Sequence, residues 1–303
     1  MTTGTAPDTA DPLRPAPLAS DEAARLADLN RLHPVGQRPP LRQYLVSLWQ
    51  RRYFLWELTL AKVAATTSDE RLGAFWQIAN PVLNVGVYYL AFGVLLGTRS
   101  DSKNFLLFLV AGVFVFTAMN RGIISGATSI VHNKGLLQAL RFPRAVLPVS
   151  AVLREVIQFG PSLVVLLITA VATGEPIRPS MLLIVPVLIM AALFTTGASL
   201  VFARLVSSLR DIGQLLPFVT RVWLYLSGVF FSLDKKLEHA HGAVLFLAQA
   251  NPGWAYLELT RGALMPDHPV RTAAWITAVV WATVLPVVGM LFFWRGEETY
   301  GRG

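Results

Sequence analysis

The amino-acid sequence predicts an all-α integral membrane protein with six transmembrane helices, an amphipathic interfacial helix before them, and short re-entrant helices before the last span. Three stretches, Leu72–Thr98, Pro179–Ala203 and Thr272–Trp294, contain no Asp, Glu, Lys or Arg. About 20 apolar residues in a helix cross the roughly 30 Å hydrocarbon core of a bilayer. Hydrophobic residues make up 54% of the 303 residues and charged residues only 15%, below the roughly 25% of soluble domains.

Composition and missing motifs exclude several functions. The chain has no cysteine, which excludes disulfides, thiolate metal sites and thiol catalysis. The net charge of +8 is better explained by a basic cytoplasmic side than by nucleic-acid binding. No P-loop is present, and no His or carboxylate cluster has metal-ligand spacing. We therefore predict no catalytic residue, no metal and no cofactor in this chain.

Two different segments precede the first span. Residues 1–40 are predicted to be a largely disordered cytoplasmic tail, because four prolines in the first 19 residues accompany few large apolar groups. Residues 41–71 carry Leu and Tyr at helical spacing, interrupted by Arg and accompanied by Trp. That pattern favours a helix lying in the membrane interface, and packing on a soluble partner is the alternative.

The six spans follow from the apolar runs and fix the predicted topology. We place the spans at 74–97, 105–127, 146–172, 180–204, 213–233 and 272–294. The connections on the side of the N-terminus carry about twice as many Lys and Arg, so both termini, including the tail 297–303, are predicted to lie in the cytoplasm. Asn251-Pro252-Gly253 splits a charge-free stretch into pieces too short to span, which indicates a re-entrant pair or an external amphipathic loop.

Charged residues inside spans are expensive in lipid and are therefore functional candidates: Arg121, Arg154, Glu155 and Arg221. Glu155 lies about 15 Å into its span and Arg221 about 12 Å into another. The similar depths predict an ion pair between them, which either fixes helix register or contacts substrate. Arg121 is close enough to a span end to snorkel to the headgroups.

Small residues within the spans suggest helix-packing faces, and aromatic residues suggest a substrate path. Gly86, Gly93 and Gly97 share one helical face, where backbones can approach closely within the chain or between two copies. Aromatic rings within the spans suit sugar rings, although core or lipid-facing positions explain them as well. The candidate path residues are Tyr88, Tyr89, Phe92, Trp223, Tyr225, Phe230 and Phe231.

Several short segments resemble one family. Leu-Gly-Ala-Phe-Trp-Gln-Ile-Ala-Asn-Pro at 72–81 resembles the start of ABC-2 type transporter permeases that export polysaccharides. Asn133-Lys134-Gly135-Leu136-Leu137 leading to Phe142-Pro143-Arg144, then Leu209-Arg210-Asp211-Ile212, then Asn251-Pro252 with Arg261, are similar to later segments of that family. The resemblance marks 72–296 as an ABC-2 type transmembrane domain.

The resemblance implies a homodimer in the plasma membrane, driven by two copies of a separate ATPase subunit that binds ATP and Mg. The implied cargo is a lipid-linked polysaccharide, either O-antigen, teichoic acid or, given the Ala- and Arg-rich composition, cell-wall galactan. Residues 64–70 are polar and acidic where the family often has a basic, Tyr-containing run. The implied ATPase-coupling residues are Asn133, Lys134, Leu136, Arg141, Phe142, Pro143, Arg144, Arg210 and Asp211.

Two other functions remain open from the residues. A secondary transporter or channel would use the intramembrane charges as an ion path and need no ATPase. A membrane-embedded glycosyltransferase or acyltransferase would need paired acidic or His groups near the interface.

Overall fold

The computed structural model describes residues 39–68, 73–95, 104–140, 142–233, 242–268, 270–298 and 300. Nearly all of the predicted tail 1–40, together with Gly97 and Arg141, lies outside these residues. The described part is helical, with no β-strand within it, which confirms the predicted all-α class.

The described chain forms twelve α-helices in this order. They are α1 (Leu41–Gln50), α2 (Arg52–Ser68), α3 (Gly73–Tyr88), α4 (Phe105–His132), α5 (Lys134–Ala139), α6 (Val146–Gln158), α7 (Gly160–Ala172), α8 (Ile184–Ser208), α9 (Asp211–Leu226), α10 (Ala243–Gln249), α11 (Pro252–Leu264) and α12 (Thr272–Arg295). A π-helical stretch, Tyr89–Leu95, continues α3, and a 3-10 turn, Pro179–Leu183, precedes α8.

The predicted interfacial helix is two helices, α1 and α2, divided at Arg51. Tyr44 faces inward and is 1% exposed, whereas the rings of Trp49 and Tyr53 are each 71% exposed. The Arg52 guanidinium lies over both rings, 5.4 Å and 4.6 Å from their centroids. Exposed rings around a cation suit the headgroup region of a membrane.

Among the residues that the structure describes, five stretches are long and apolar enough to cross a membrane: Ile78–Leu95, Phe105–His132, Val146–Ala172, Pro179–Ser208 and Thr272–Arg295. They coincide with five of the six predicted spans.

The remaining predicted span, 213–233, is not a continuous helix. Helix α9 has 16 residues, about 24 Å, and after Leu226 the chain turns at Gly228, whose φ is +67°. A positive φ is unfavourable for residues with a Cβ, so glycine permits the turn. The count of six spans stays a prediction.

Helix α4 is the centre of the bundle. In the most apolar part of α4, 72% of the residues are buried inside the chain, compared with 11% in Ile78–Leu95. It packs along α6 and α8, and α12 packs along the far side of α8. The core around α4 therefore fixes the relative positions of the other spans.

Helices α4, α8 and α12 run in the same direction. A Cβ at Gly122 would lie 2.5 Å from Thr195 Cγ2, and one at Gly126 would lie 2.4 Å from Ser199 Cβ. A Cβ at Gly197 would lie 2.4 Å from the Leu285 carbonyl carbon of α12, and farther along both helices Arg204 donates to the Phe292 carbonyl. The three helices therefore end on one side of the bundle, the basal end, and begin on the other, the apical end.

The glycines predicted for close packing behave differently from one another. A Cβ at Gly93 would lie 3.0 Å from the Phe105 ring, so this glycine packs within the chain. Gly86 is exposed, with nothing within 4 Å of an added Cβ. The face of α3 that contains Gly86 is open in the single chain.

The two short helices predicted before the last span are α10 and α11, and they meet at Asn251. The Asn251 Oδ1 accepts from the backbone N–H of Gly253 at 2.9 Å and from Trp223 Nε1 at 2.8 Å. Trp281 Nε1 donates to the carbonyl of Ala250 at 2.8 Å. These bonds fasten the α10–α11 hairpin to α9 and α12.

Candidate functional site

The segment predicted to couple to an ATPase lies at the basal end, between α4 and α6. Asn133 ends α4, and its Nδ2 donates to the carbonyl of Ser129 at 2.7 Å. Helix α5 follows at once and presents Gly135 to solvent, while Leu136 and Leu137 pack toward the bundle. We call residues 133–145 the coupling segment.

The end of the coupling segment is bound to the chain itself. The Phe142 ring packs on Phe54 of α2, with centroids 5.3 Å apart, and Pro143 is buried. The Arg144 backbone N–H donates to Glu297 Oε1 at 3.1 Å, and its guanidinium donates to the Glu297 carbonyl oxygen. In the single chain Arg144 thus has an intramolecular partner in Glu297, and its part in ATPase coupling stays a prediction.

The second predicted coupling element lies between α8 and α9 at the basal end. Arg210 and Asp211 are both exposed, and Asp211 lies in the first turn of α9. An acidic residue there interacts favourably with the partial positive charge of the helix N-terminus. Because α4 and α8 both end at the basal end, this turn and the coupling segment face the same side of the membrane.

The predicted pair between Glu155 and Arg221 is wrong. The Glu155 carboxylate binds its neighbour, with Arg154 Nη2 at 2.5 Å from Oε1. A second bond runs from Arg154 Nη2 to Ser125 Oγ at 2.9 Å. Arg221 is exposed and pairs with no carboxylate in the described ranges. Similar depth did not suffice to bring the two residues together, because their helices, α6 and α9, do not pack along each other.

Two pockets meet at Glu155 and Phe159. The larger, about 180 Å³, lies between α4, the α6–α7 pair and α8, and its lining is apolar except for Glu155 and Thr195. The smaller, about 40 Å³, lies toward α3 and is lined by Asn84, Arg121 and Gln158, among others. One carboxylate therefore stands at the boundary between an apolar and a polar pocket.

A lysine absent from the predicted site residues extends this polar cluster. Lys62 of α2 donates from Nζ to Ser150 Oγ at 3.2 Å, one turn before Arg154 on α6. Burial, and then the positive charge of Arg154, lower the pKa of Lys62 to about 8. Arg121 is exposed on α4, one turn before Ser125, which Arg154 binds. Arg154 thus binds Glu155, Arg121 shares the smaller pocket with it, and Lys62 lies close to Arg154, so this cation cluster carries more positive than negative charge.

Four of the seven predicted path aromatics form one group. Phe230 is fully buried and stacks on Phe92 with centroids 4.2 Å apart. Tyr88 and Tyr225 contact the same ring at 4.8 Å and 5.5 Å. The chain break after α9 thereby packs against α3 and its π-helical continuation.

The other three path aromatics lie elsewhere. Trp223 packs on Phe116 at 4.7 Å and binds Asn251, so it holds the hairpin. Tyr89 is 6.1 Å from Phe105, and Phe231 is half-buried against the main core.

A buried charged cluster at α11 is absent from the predicted site residues. Arg261 is fully buried and donates from Nη1 to Glu258 at 3.2 Å and from Nη2 to the carbonyls of Gly228 and Val229 at 3.0 and 2.9 Å. The second Glu258 oxygen is 2.6 Å from His268 Nε2. The cluster ties α11 to the chain break after α9. The sequence offered one signal for this cluster, the three-residue spacing of Glu258 and Arg261 in an apolar segment. No sequence pattern indicated that His268 would join it.

The described chain is built as a multi-pass helical membrane protein, with long apolar helices, polar groups between them and a short-helix segment at one end. The model of the ABC-2 type transporter family matches residues 53–265, and the chain belongs to this family.

The chain is also similar to curated proteins over most of its length. It is 27% identical over 254 residues to the O-antigen export system permease protein RfbA of Myxococcus xanthus, covering 84% of this chain and 93% of that protein. It is 24% identical over 224 residues to a protein of the same name from Klebsiella pneumoniae, covering 73% of this chain and 83% of that one.

Proposed function

We propose that this chain is the membrane subunit of an ABC exporter that moves a lipid-linked polysaccharide from the cytoplasm across the plasma membrane. The observation that carries the proposal is the family match over 53–265, joined by similarity to an O-antigen export permease along 93% of that protein's length. A separate ATPase subunit, binding ATP and Mg, supplies the energy, and this chain performs no catalysis.

The basal end is the cytoplasmic side in this proposal, with both termini there. The coupling segment and the turn at Arg210 and Asp211 face that side together, as a docking surface for the ATPase requires. Lys134 and Arg141 supply positive charge for acidic groups of the partner. Nucleotide shifts the permease only as far as it binds better to one of the two states.

The cation cluster around Glu155 supports an anionic lipid headgroup as the recognised part of the cargo. Lys62, Arg121 and Arg154 outnumber the single carboxylate, and Arg side chains bind phosphate oxygens with charge-assisted bonds. The apolar pocket of about 180 Å³ next to Glu155 offers space for part of a hydrocarbon chain.

A homodimer is proposed from the first span. Ile78–Leu95 is 11% buried in the single chain, and Gly86 leaves an open face there. Small residues at such faces let two helices approach closely.

The Ala- and Arg-rich composition favours cell-wall galactan as the particular cargo.

Docking is tested by adding bulk to the coupling segment. Gly135 is exposed with nothing within 4 Å of an added Cβ, so Gly135→Trp is accommodated by the free permease. We expect this variant, co-expressed with the proposed P-loop ATPase subunit, to lose co-purification of that subunit. Ile177→Trp, at a site 79% exposed on the apical end, is the matched control and should retain it.

Equal co-purification of the ATPase with both Trp variants would contradict the docking surface. Cargo transport by the purified permease without any ATPase would instead favour a secondary transporter or channel.

A further inference from the structure

A second apolar cluster lies at the basal end, apart from the main core around α4. Its buried members lie on or directly beside α1, α4, α6, α8 and α12. They are Tyr44, Ile130, Ala145, Leu147, Leu200, Ala203, Phe293 and Tyr300. Leu136, Leu137 and Phe142 of the coupling segment pack against it. The coupling segment therefore rests on the same cluster that holds the end of α12.

Polar bonds inside this cluster join the coupling segment directly to the end of α12. The Tyr44 hydroxyl donates to Glu297 Oε2 at 3.0 Å and accepts from the Ala145 backbone N–H at 3.0 Å. The other carboxyl oxygen of Glu297 accepts from the backbone N–H of Arg144 at 3.1 Å. One hydroxyl and one carboxyl group thus hold two consecutive residues of the coupling segment.

The two groups are shielded from water. Tyr44 is 1% exposed and Glu297 is 9% exposed. Burial raises the pKa of both groups, and for Tyr44 the nearby Glu297 raises it further. Because water cannot replace a lost partner there, removing one of these bonds leaves buried polar atoms unsatisfied.

The far end of α12 is bonded to the α10–α11 hairpin. Tyr256 donates to the carbonyl of Ala278 at 3.0 Å, and Thr277 donates to the carbonyl of Gln249 at 2.8 Å. Helix α12, which is continuous through Pro286, therefore connects the basal cluster to the hairpin at the apical end.

We infer that Tyr44 and Glu297 are positioning residues that transmit movement of the coupling segment to α12 and from there to the α10–α11 hairpin. The inference rests on the proposed function and adds the route by which ATPase movement reaches the apical end. The segment cannot move without its Tyr44 and Glu297 contacts either following it or breaking.

The test is hydrogen exchange of the permease–ATPase complex in lipid nanodiscs, with and without adenylyl imidodiphosphate. In the wild type, nucleotide should change exchange about threefold or more in both 134–145 and 287–298. In Tyr44→Phe the change in 134–145 should persist, while the change in 287–298 should shrink about twofold or more, because only the direct bonds from Arg144 to Glu297 remain. Export per ATP hydrolysed should fall about fivefold or more.

Tyr300→Phe is the matched control. Its hydroxyl is buried in the same cluster and donates to the carbonyl of Phe293 at 2.7 Å, without bonding the coupling segment. Both variants lose one buried hydroxyl, so both should lower the melting temperature similarly, yet Tyr300→Phe should retain both exchange changes. If Tyr44→Phe does not fold, Glu297→Gln is used as the test variant instead. It replaces one of the two carboxyl oxygens that accept hydrogen bonds by an amide N–H donor.

The outcomes separate the two proposals. A nucleotide response in 287–298 that keeps its wild-type size in both Tyr44→Phe and Glu297→Gln overturns the relay. A wild-type complex without any response in 134–145, or no complex at all, overturns the proposed function instead. Loss of the 287–298 response in Tyr300→Phe as well would show that general loosening of the cluster is the cause, and would also overturn the relay.

Discussion

Removing the Arg261 guanidinium should strongly destabilise the chain. Arg261 is fully buried and has an ion pair with Glu258 at 3.2 Å and two backbone carbonyl partners at 3.0 and 2.9 Å. In Arg261→Met the Glu258 carboxylate keeps only His268, and the carbonyls of the chain break lose their donor. Breaking a buried ion pair from one side costs about 3–5 kcal/mol, and we expect a loss in that range.

The measurement is equilibrium unfolding of the purified protein in mixed micelles with increasing SDS. Arg221→Met is the control, because Arg221 is exposed and pairs with no described carboxylate, and its free energy of unfolding should stay within about 0.5 kcal/mol of wild type. The double variant Arg261→Met with Glu258→Gln should be more stable than the summed losses by about 1–3 kcal/mol. A loss below about 1 kcal/mol in Arg261→Met, or strict additivity, would refute the cluster's role.

Three further predictions concern packing, charge and the hairpin. Gly197→Ala should cost about 1–3 kcal/mol in the same unfolding assay, since its Cβ would lie 2.4 Å from the α12 backbone, whereas Gly86→Ala, with open space, should not. Burial, followed by the charge of Arg154, lowers the pKa of Lys62 to about 8, so this lysine loses its positive charge as the pH rises through that value. In a vesicle assay run from pH 7 to 9, export by the wild type should therefore fall near pH 8, whereas export by Lys62→Arg should not. Asn251→Ala should cost about 1–2 kcal/mol by removing the α11 cap and should shift the emission of Trp223, whose indole N–H loses its acceptor; unchanged stability and emission would contradict the hairpin contacts.

The apolar runs sufficed to predict the long helices. Five of the predicted spans match helical stretches because about 20 apolar residues without charge have few stable alternatives to a helix in lipid. The short helix pair was also predictable, because Asn251 and Pro252 end one helix and begin another. Both predictions depend only on local sequence.

The end of α9 at Leu226 was not predictable from its own residues. The stretch 213–233 carries no charged residue except Arg221, yet the chain turns at Gly228, where Arg261, more than thirty residues later, binds the carbonyls of the turn. A contact so distant in sequence leaves no mark in hydropathy. The same holds for the bonds that Glu297 makes with Tyr44 and Arg144.

Depth in the membrane proved a poor guide to pairing. Glu155 and Arg221 have similar depth, but hydropathy does not fix how a helix is rotated about its axis. Glu155 instead binds the adjacent Arg154, which also reaches Ser125. Likewise, the aromatic residues were easy to list, but only the structure separates the group around Phe230 from Trp223, which holds the hairpin.

Export by the reconstituted complex tests the central proposal most directly. Inside-out vesicles containing the permease, its ATPase and the host's lipid-linked polysaccharide, radiolabelled in the sugar, would be given ATP and assayed for label protected from glycosidase. We predict ATP-dependent protection with the intact ATPase and none when its P-loop lysine is replaced. Protection that continues with the inactive ATPase, or with the permease alone, would contradict the proposal.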